Sequence, residues 1–233
     1  MRRRWFRLAT AATLVAGLAS VALHATPANA ELTRPLTLGN PGDVPLAADW
    51  DHDGDDEPGV YRPRTSTFYR ADGVGFPYGN TGDVPIIGDW DGNRLDEIGV
   101  YRPHERTFHR PGRSPVTYGN LGDVPIVGDW NGDGRDDLGV YRPSTSTFHR
   151  LGYAAIAYGN AGDVPIIGDW TGDGADNIGV YRPGISAFFR VGMTTGIRFG
   201  NAGDKPVIGD WDGDGRDDPG VYRPRNRTFY PWT

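Results

Sequence analysis

The sequence has no cysteine among its 233 residues, which excludes a disulfide framework. An exported domain of this kind must take its additional stability from elsewhere, and bound metal ions are the usual substitute. Segments that combine a helical period with capping residues are also missing, so helix should be nearly absent. Only one long apolar run occurs, at residues 8–23, and no second one follows it.

That run lies in a leader-like segment. Four arginines fall within the first seven residues, the apolar run follows, and Ala28-Asn29-Ala30 completes the pattern. This order predicts a secretory signal peptide over residues 1–30 and a mature, secreted domain over residues 31–233. A retained membrane anchor is the weaker alternative, and the Arg3-Arg4 pair leaves general and twin-arginine export both open.

The charge of the mature segment limits its partners. The leader holds four of the 24 basic residues and none of the 30 acidic ones, so the rest of the chain has about ten more acidic than basic residues. Such a surface repels phosphate backbones and anionic lipid. We therefore expect no nucleic-acid partner and, once the signal is removed, no membrane insertion.

Internal repetition is the strongest signal in the sequence. Three short motifs recur in the same order at steps of 40, 40, 40 and 41 residues. Asp-Trp begins at Asp49, Asp89, Asp129, Asp169 and Asp210; Tyr-Arg-Pro begins at Tyr61, Tyr101, Tyr141, Tyr181 and Tyr222; Gly-Asn begins at Gly39, Gly79, Gly119, Gly159 and Gly200. The mature chain therefore consists of five copies of one unit.

Each unit reads as four short strands. In the second unit they are residues 84–90, 98–102, 107–110 and 115–118, which are rich in β-branched and aromatic residues and bounded by Gly, Pro and Asp. Four strands in 40 residues, repeated, predict the blades of an all-β, five-bladed β-propeller with antiparallel strands.

The chain ends favour a closed ring over an open β-solenoid. Residues 36–40 resemble a fourth strand with no preceding unit, whereas the fifth unit stops at residues 228–233, near its third strand. Joined together, the two ends complete the fifth blade and leave no exposed edge. An open stack gains nothing from splitting a unit in this way.

An acidic, glycine-containing loop follows the first strand of each unit. In the fifth unit it runs from Asp210 to Asp218, with oxygen-bearing side chains at positions one, three, five and nine and glycine at position six. Calcium prefers six to eight hard oxygen ligands, and glycine permits the sharp turn. Position twelve is valine in every copy, so the loop is not an EF-hand. Solvated Asx-turns are the alternative, although one aspartate suffices for such a turn.

The loop pattern Asp-x-Asp-Gly-Asp-Gly-x-x-Asp, followed by a short apolar strand, resembles the FG-GAP or VCBS repeat of integrin-α propellers and of bacterial exported proteins. The resemblance covers residues 36–233 and implies Ca²⁺ bound in up to five loops. The residues that match the ligand positions are Asp49, Asp51, Asp53 and Glu57; Asp89, Asp91, Asn93 and Glu97; Asp129, Asn131, Asp133 and Asp137; Asp169, Thr171, Asp173 and Asn177; and Asp210, Asp212, Asp214 and Asp218.

Two loops depart from this pattern. Arg94 replaces glycine at position six of the second loop, which predicts a strained turn with a cation beside the site. The fourth loop has Thr171 and Asn177 in place of carboxylates. We therefore expect the sites of repeats 1, 3 and 5 to be the strongest. The recurrent aspartate at position eight is an alternative ligand to position nine; it is Asp56, Asp96, Asp136, Asp176 and Asp217.

Three other recurrent positions are interpreted as structural. The tryptophans of the Asp-Trp motif should pack between blades rather than stack on sugars, and the arginines of Tyr-Arg-Pro should pair with carboxylates, such as those at loop position eight. The aspartate that follows Gly-Asn-x-Gly should form a turn between blades. The third-strand residues are either solvent-facing or part of a ligand surface; they are Tyr69, His109, His149, Phe189 and Tyr230.

Motifs typical of catalysis are missing. His104-Glu105 and His109 lack the helix and spacing of a zinc protease, and neither a nucleophile elbow nor a phosphate loop occurs. We expect a monomeric, lectin-like recognition or adhesion module for carbohydrate or protein ligands, and not an enzyme. A polysaccharide hydrolase or lyase, and a purely structural cell-wall propeller, are the alternatives.

Overall fold

The computed structural model describes Leu32 and residues 34–232, so the predicted signal peptide lies outside the described residues. Twenty short strands form five four-stranded antiparallel sheets, and each sheet is one blade. Strand β1 (Leu36–Thr37) comes first in the chain and belongs to the fifth blade. The predicted five-bladed β-propeller is confirmed.

The strands follow the repeat. Blade 1 contains β2 (Val44–Ala48), β3 (Glu57–Arg62), β4 (Thr67–Arg70) and β5 (Gly75–Pro77). Blade 2 contains β6 (Val84–Gly88), β7 (Glu97–Arg102), β8 (Thr107–His109) and β9 (Val116–Thr117). Blade 3 contains β10 (Val124–Gly128), β11 (Asp137–Arg142), β12 (Thr147–Arg150) and β13 (Ile156–Ala157). Blade 4 contains β14 (Val164–Gly168), β15 (Asn177–Arg182), β16 (Ala187–Arg190) and β17 (Ile197–Arg198), with one 3-10 turn at Pro183–Ile185. Blade 5 contains β18 (Lys205–Gly209), β19 (Asp218–Arg223) and β20 (Thr228–Pro231), followed in space by β1.

The ring closes as the sequence predicts. Leu36 pairs with Phe229 and Thr37 with Thr228, and the two threonine hydroxyls lie 3.0 Å apart. The first strands of the five blades contact one another in cyclic order, β18 against β2 included. A single sheet therefore holds both ends of the described chain.

The first strand of each blade is shorter than predicted. In blade 2 it ends at Gly88 rather than at residue 90. The backbone leaves the ladder there because the Asp89 N–H donates to the carboxylate of Asp136 in the next blade, at 2.8 Å. The Asp-Trp dipeptide consequently begins the loop instead of ending the strand.

The first strands surround a central channel. A cavity of about 450 Å³ is lined mainly by apolar residues from the first strands of blades 1, 2, 4 and 5, among them Pro45, Pro85, Pro165 and Pro206. Proline suits this inner edge because its missing N–H removes no ladder hydrogen bond there. Within the described part of the chain, no helix is long and apolar enough to cross a lipid bilayer.

Candidate metal centres

The five acidic loops occupy equivalent places in the ring. Each one connects the first and second strands of its blade, and position nine is the first residue of the second strand. The loops span residues 49–56, 89–96, 129–136, 169–176 and 210–217. The fold therefore presents all five loops at the same end of the propeller.

The aspartate at position one organises each loop. Its Oδ1 accepts the N–H of position four and its Oδ2 accepts the N–H of position six, at 2.6–3.1 Å in all five blades. Positions four and six both have a left-handed backbone, which favours glycine. Glycine occupies these positions in every loop except at His52 (φ 68°) and Arg94 (φ 66°), which have the same left-handed backbone. The strained turn predicted at Arg94 is confirmed, and a second one, not predicted, lies at His52.

Carboxylates converge in three of the loops. Three ligand oxygens lie within 4.8 Å of one another in blades 1, 2 and 5. The groups are Asp49, Asp51 and Asp53; Asp89, Asp91 and Glu97; and Asp210, Asp212 and Asp214. Among the residues that the structure describes, blades 3 and 4 contain no such trio. The second loop, expected to be among the weaker ones, brings its carboxylates together, whereas the third does not.

Blade 1 has an unsatisfied ligand atom. Oδ1 of Asp51 is buried and has no hydrogen-bond partner. Desolvation, followed by the charges of Asp53 and Asp49, raises the pKa of Asp51. A buried acceptor without a donor is costly, and a divalent cation between these three carboxylates would offset the repulsion among them and would stabilise the charged form of Asp51.

Position nine faces its own loop. Oε2 of Glu57 accepts the N–H of Trp50 at 3.1 Å, and Oε2 of Glu97 accepts that of Trp90 at 2.8 Å. Burial raises the pKa of Glu57 to about 8, although the hydrogen bond from Trp50 opposes the rise. These carboxylates therefore lie where a loop-bound cation would stabilise their charged form.

Position eight joins neighbouring blades instead. Asp96 of blade 2 accepts the N–H of Asp49 in blade 1 at 3.0 Å, and its own N–H donates to the Asp49 carbonyl at 3.1 Å. The same exchange occurs at all five boundaries, including Asp56 with Asp210, which spans the ring closure. Position eight is therefore a link between blades, and a ligand role for position nine stays a prediction, with Glu97 alone lying in one of the three carboxylate groups.

The position-eight carboxylates also repel one another. Desolvation is the main cause that raises the pKa of Asp96 and of Asp176 to about 7. The pKa of Asp56 is raised well above its ordinary value by desolvation and by the charges of Asp217 and Asp96. All five position-eight carboxyls thus have a raised pKa, for which burial is the main cause, and in Asp56, Asp96, Asp136 and Asp217 the charge of another position-eight carboxylate adds to it.

The arginines of Tyr-Arg-Pro pair with carboxylates as predicted, but with a different aspartate from the one at loop position eight. Arg142 donates through Nε and Nη2 to both carboxylate oxygens of Asp123, at 3.0 and 2.9 Å. Asp123 is the turn aspartate before the first strand, and its side chain is 2% exposed. Equivalent pairs occur in every blade. The expected pairing with position eight is wrong, because that residue is engaged by the preceding blade.

The tryptophans pack between blades as predicted in four of the five units. Trp90, Trp130, Trp170 and Trp211 lie in buried clusters that include residues of the next blade. Trp50 is half-buried and is not part of these clusters.

The third-strand residues are half-buried, so each keeps part of its side chain exposed to solvent. Arginines of the buried pairs lie over three of them: Arg62 lies 4.4 Å from the Tyr69 ring, Arg182 lies 4.6 Å from the Phe189 ring, and Arg223 lies 4.3 Å from the Tyr230 ring. A role in ligand binding stays a prediction for these positions.

His104, Glu105 and His109 lie around the turn between β7 and β8. Glu105 is 3.4 Å from His104 Nε2 and 3.6 Å from His109 Nε2. The two histidines therefore do not lie on one face of a helix, and the predicted lack of a zinc-protease helix at this segment is confirmed.

Sequence reasoning missed one residue beside the loops. Tyr153, in the turn between β12 and β13, accepts a hydrogen bond from Nδ2 of Asn131 at 3.1 Å. Its position in the repeat offers no motif, since the equivalent residues in blades 1, 2 and 4 are Gly73, Arg113 and Met193.

No protein-family model and no curated protein matches the chain. Among solved structures, the chain is similar to the one titled "Crystal structure of BBS1N in complex with ARL6DN, soaked with lead". The TM-score is 0.40 and the identity 13%, over 84% of this chain and 69% of that chain. The FG-GAP or VCBS assignment therefore remains a prediction from the loop motif.

Proposed function

We propose that this chain is an exported β-propeller that binds Ca²⁺ in its acidic loops and acts as a recognition or adhesion module. The supporting observation is the convergence of three carboxylates in each of three loops, together with the buried, unpartnered Oδ1 of Asp51. Hard oxygen donors of this kind suit calcium. In blade 5 the cation is held by Asp210, Asp212 and Asp214, with Asp218 at position nine.

The cation's contribution is structural. Each loop joins two strands of its blade, and its position-one residue is also bonded to the neighbouring blade. A cation bound only by the folded state therefore stabilises both the blade and the ring. At a concentration 100 times its dissociation constant, one such ion adds about 2.7 kcal/mol.

The binding role concerns carbohydrate or protein ligands. Five similar blades present repeated surfaces, and repetition favours multivalent recognition. The acidic loops occur in every blade and are organised by the same hydrogen bonds. A feature that all five blades share suits a structural role better than a catalytic one. A polysaccharide-cleaving enzyme requires an acid–base pair in one blade that the other blades lack.

Terbium luminescence tests the metal sites directly, because a tryptophan at position two of each loop sensitises a bound Tb³⁺. We expect emission that Ca²⁺ competes away and that Asp214→Asn reduces. Thermal unfolding should show a midpoint lower in chelator than in Ca²⁺ by roughly 5–10 °C for one saturated site. The metal proposal fails if neither emission nor a chelator effect is observed.

A panel of immobilised glycans and cell-surface proteins, probed in Ca²⁺, tests the recognition role. Binding without release of products supports a module. Turnover of any bound glycan would establish the enzymatic alternative.

A further inference from the structure

The central channel breaks the fivefold repeat at one charged position. The first strands begin at the end of the propeller opposite to the acidic loops. Their first residue is valine in four blades and lysine in the fifth: Val44, Val84, Val124, Val164 and Lys205. Lys205 is also the only lysine in the chain. A ligand on the axis of the ring can be bound by a residue that a single blade supplies.

The channel is an apolar cavity with this lysine at its edge. Its volume of about 450 Å³ falls within the roughly 300–1,000 Å³ that is usual for small-molecule sites. Pro206, Val207 and Ile208 line it from the same strand as Lys205, and Lys205 itself is exposed. The cavity therefore combines an apolar interior with a cation where it opens to solvent.

The channel has additional room next to the lysine-bearing strand. Strand β18 of blade 5 contacts β2 of blade 1. Ala47 of β2 lines the cavity and packs against the buried cluster of blade 5. The equivalent residues of the other blades are all larger, namely Ile87, Val127, Ile167 and Ile208. The smaller side chain widens the channel at the boundary between blades 5 and 1, beside Lys205.

The charge of Lys205 is not compensated by its neighbours. The preceding residue, Asp204, is paired with Arg223 at 2.9 Å, and the other turn aspartates have equivalent arginine partners. Among the described residues, none forms an ion pair with Lys205.

The same end of the propeller has further positive charge. The turns between the second and third strands contain four arginines and a single acidic residue; they are Arg64, Arg106, Arg225, Arg227 and Glu105. The chain as a whole is acidic, but its acidic loops lie at the opposite end. The mouth of the channel near Lys205 therefore attracts anions.

We propose that the central channel binds a carboxylate with an apolar tail, and that the tail enters the channel while the carboxylate pairs with Lys205. Burial of the tail supplies the hydrophobic gain, and the ammonium supplies a charge-assisted hydrogen bond. One ammonium matches the single charge of a carboxylate. This site is separate from the acidic loops and does not depend on bound metal.

The experiment uses the full chain labelled with ¹³C-lysine and titrates it with octanoate. Because Lys205 is the only lysine, its side chain gives one set of NMR signals. Octanoate should shift these signals in a saturable manner. Butyrate should bind more weakly, by about fourfold for each methylene removed. Octyltrimethylammonium, which has the same tail and a positive head, should leave the signals unchanged.

Titration calorimetry with octanoate compares three variants, and the unfolding midpoint of each shows that it is folded. Lys205→Val installs the residue of the other four blades and should weaken binding about tenfold. Ala47→Ile installs the residue of blades 2, 4 and 5 and should also weaken binding, because it narrows the channel. Arg225→Ala removes an exposed cation that does not line the cavity and should leave the affinity unchanged.

Four results would overturn the inference. They are the lack of a saturable shift, equal affinity of wild type and Lys205→Val, equal affinity of wild type and Ala47→Ile, and a shift of the lysine signals by the cationic amphiphile that matches the shift by octanoate. All titrations are repeated in chelator and in Ca²⁺. Loss of calcium binding with retained octanoate binding would contradict the proposed function alone.

Discussion

Replacement of Asp176 by asparagine should stabilise the propeller at neutral and alkaline pH. The carboxylate accepts the N–H of Asp129 in the preceding blade at 2.8 Å. Asparagine retains an acceptor oxygen for this bond but has no charge. Desolvation, followed by the charges of Asp169 and Asp129, raises the pKa of Asp176 from 3.8 to about 7 in the folded protein.

The sign of the effect follows from this direction. A carboxyl with a raised pKa binds its proton more tightly in the folded than in the unfolded state. Its contribution to stability is therefore present below about pH 4 and is lost as the pH rises to about 7. The rise from 3.8 to about 7 corresponds to at most about 4 kcal/mol above pH 7.

Thermal and urea unfolding in chelator, at pH 4 and pH 8, measure the difference. Asp176→Asn should raise the midpoint at pH 8 by about 2–4 °C for each kcal/mol and should match wild type at pH 4. Asp163→Asn is the control, because it removes the charged partner of Arg182 and should destabilise at pH 8. If Asp176→Asn destabilised the protein equally at both pH values, the carboxylate would be needed in its charged form and the reasoning would be refuted.

Three further predictions concern the turn, the ion pairs and the ring closure. Arg94→Gly should increase the free energy of unfolding by about 1 kcal/mol, because a left-handed backbone disfavours a side chain; an unchanged urea midpoint would contradict this explanation. Arg142→Met should lower the free energy of unfolding by about 3–5 kcal/mol, because it leaves the buried charge of Asp123 without its guanidinium partner. The double variant with Asp123→Asn should recover part of this loss in a thermal melt. No recovery would show that the ion pair is not the cause. Deletion of residues 31–38 removes β1 and exposes the edge of β20. Light scattering should therefore show that the deletion variant associates at a lower temperature than the wild type does. A deletion variant that melts and scatters like the wild type would refute the closure of the ring by β1.

The sequence predicted the fold because the fold is built from local, repeated signals. Alternating β-branched and aromatic residues, bounded by Gly, Pro and Asp, define each strand without reference to the rest of the chain. Five copies leave one spare strand at the N-terminal end and a fifth unit that is one strand short, so the closure of residues 36–37 on residues 228–229 follows from counting. The positions of the acidic loops, and the strained Arg94, follow from the same repeat.

Tertiary structure alone decided which side chains meet. Asp96 could have paired with Arg102 of its own blade, but the ring brings it to the backbone of Asp49, 47 residues away. Loop composition favoured blade 3 over blade 2, yet Glu97 approaches Asp89 and Asp91, whereas Asn131 of blade 3 donates to the Tyr153 hydroxyl. Residue types within a repeat specify which atoms are available, whereas the packing of neighbouring blades determines whether a carboxylate receives a backbone N–H or a guanidinium.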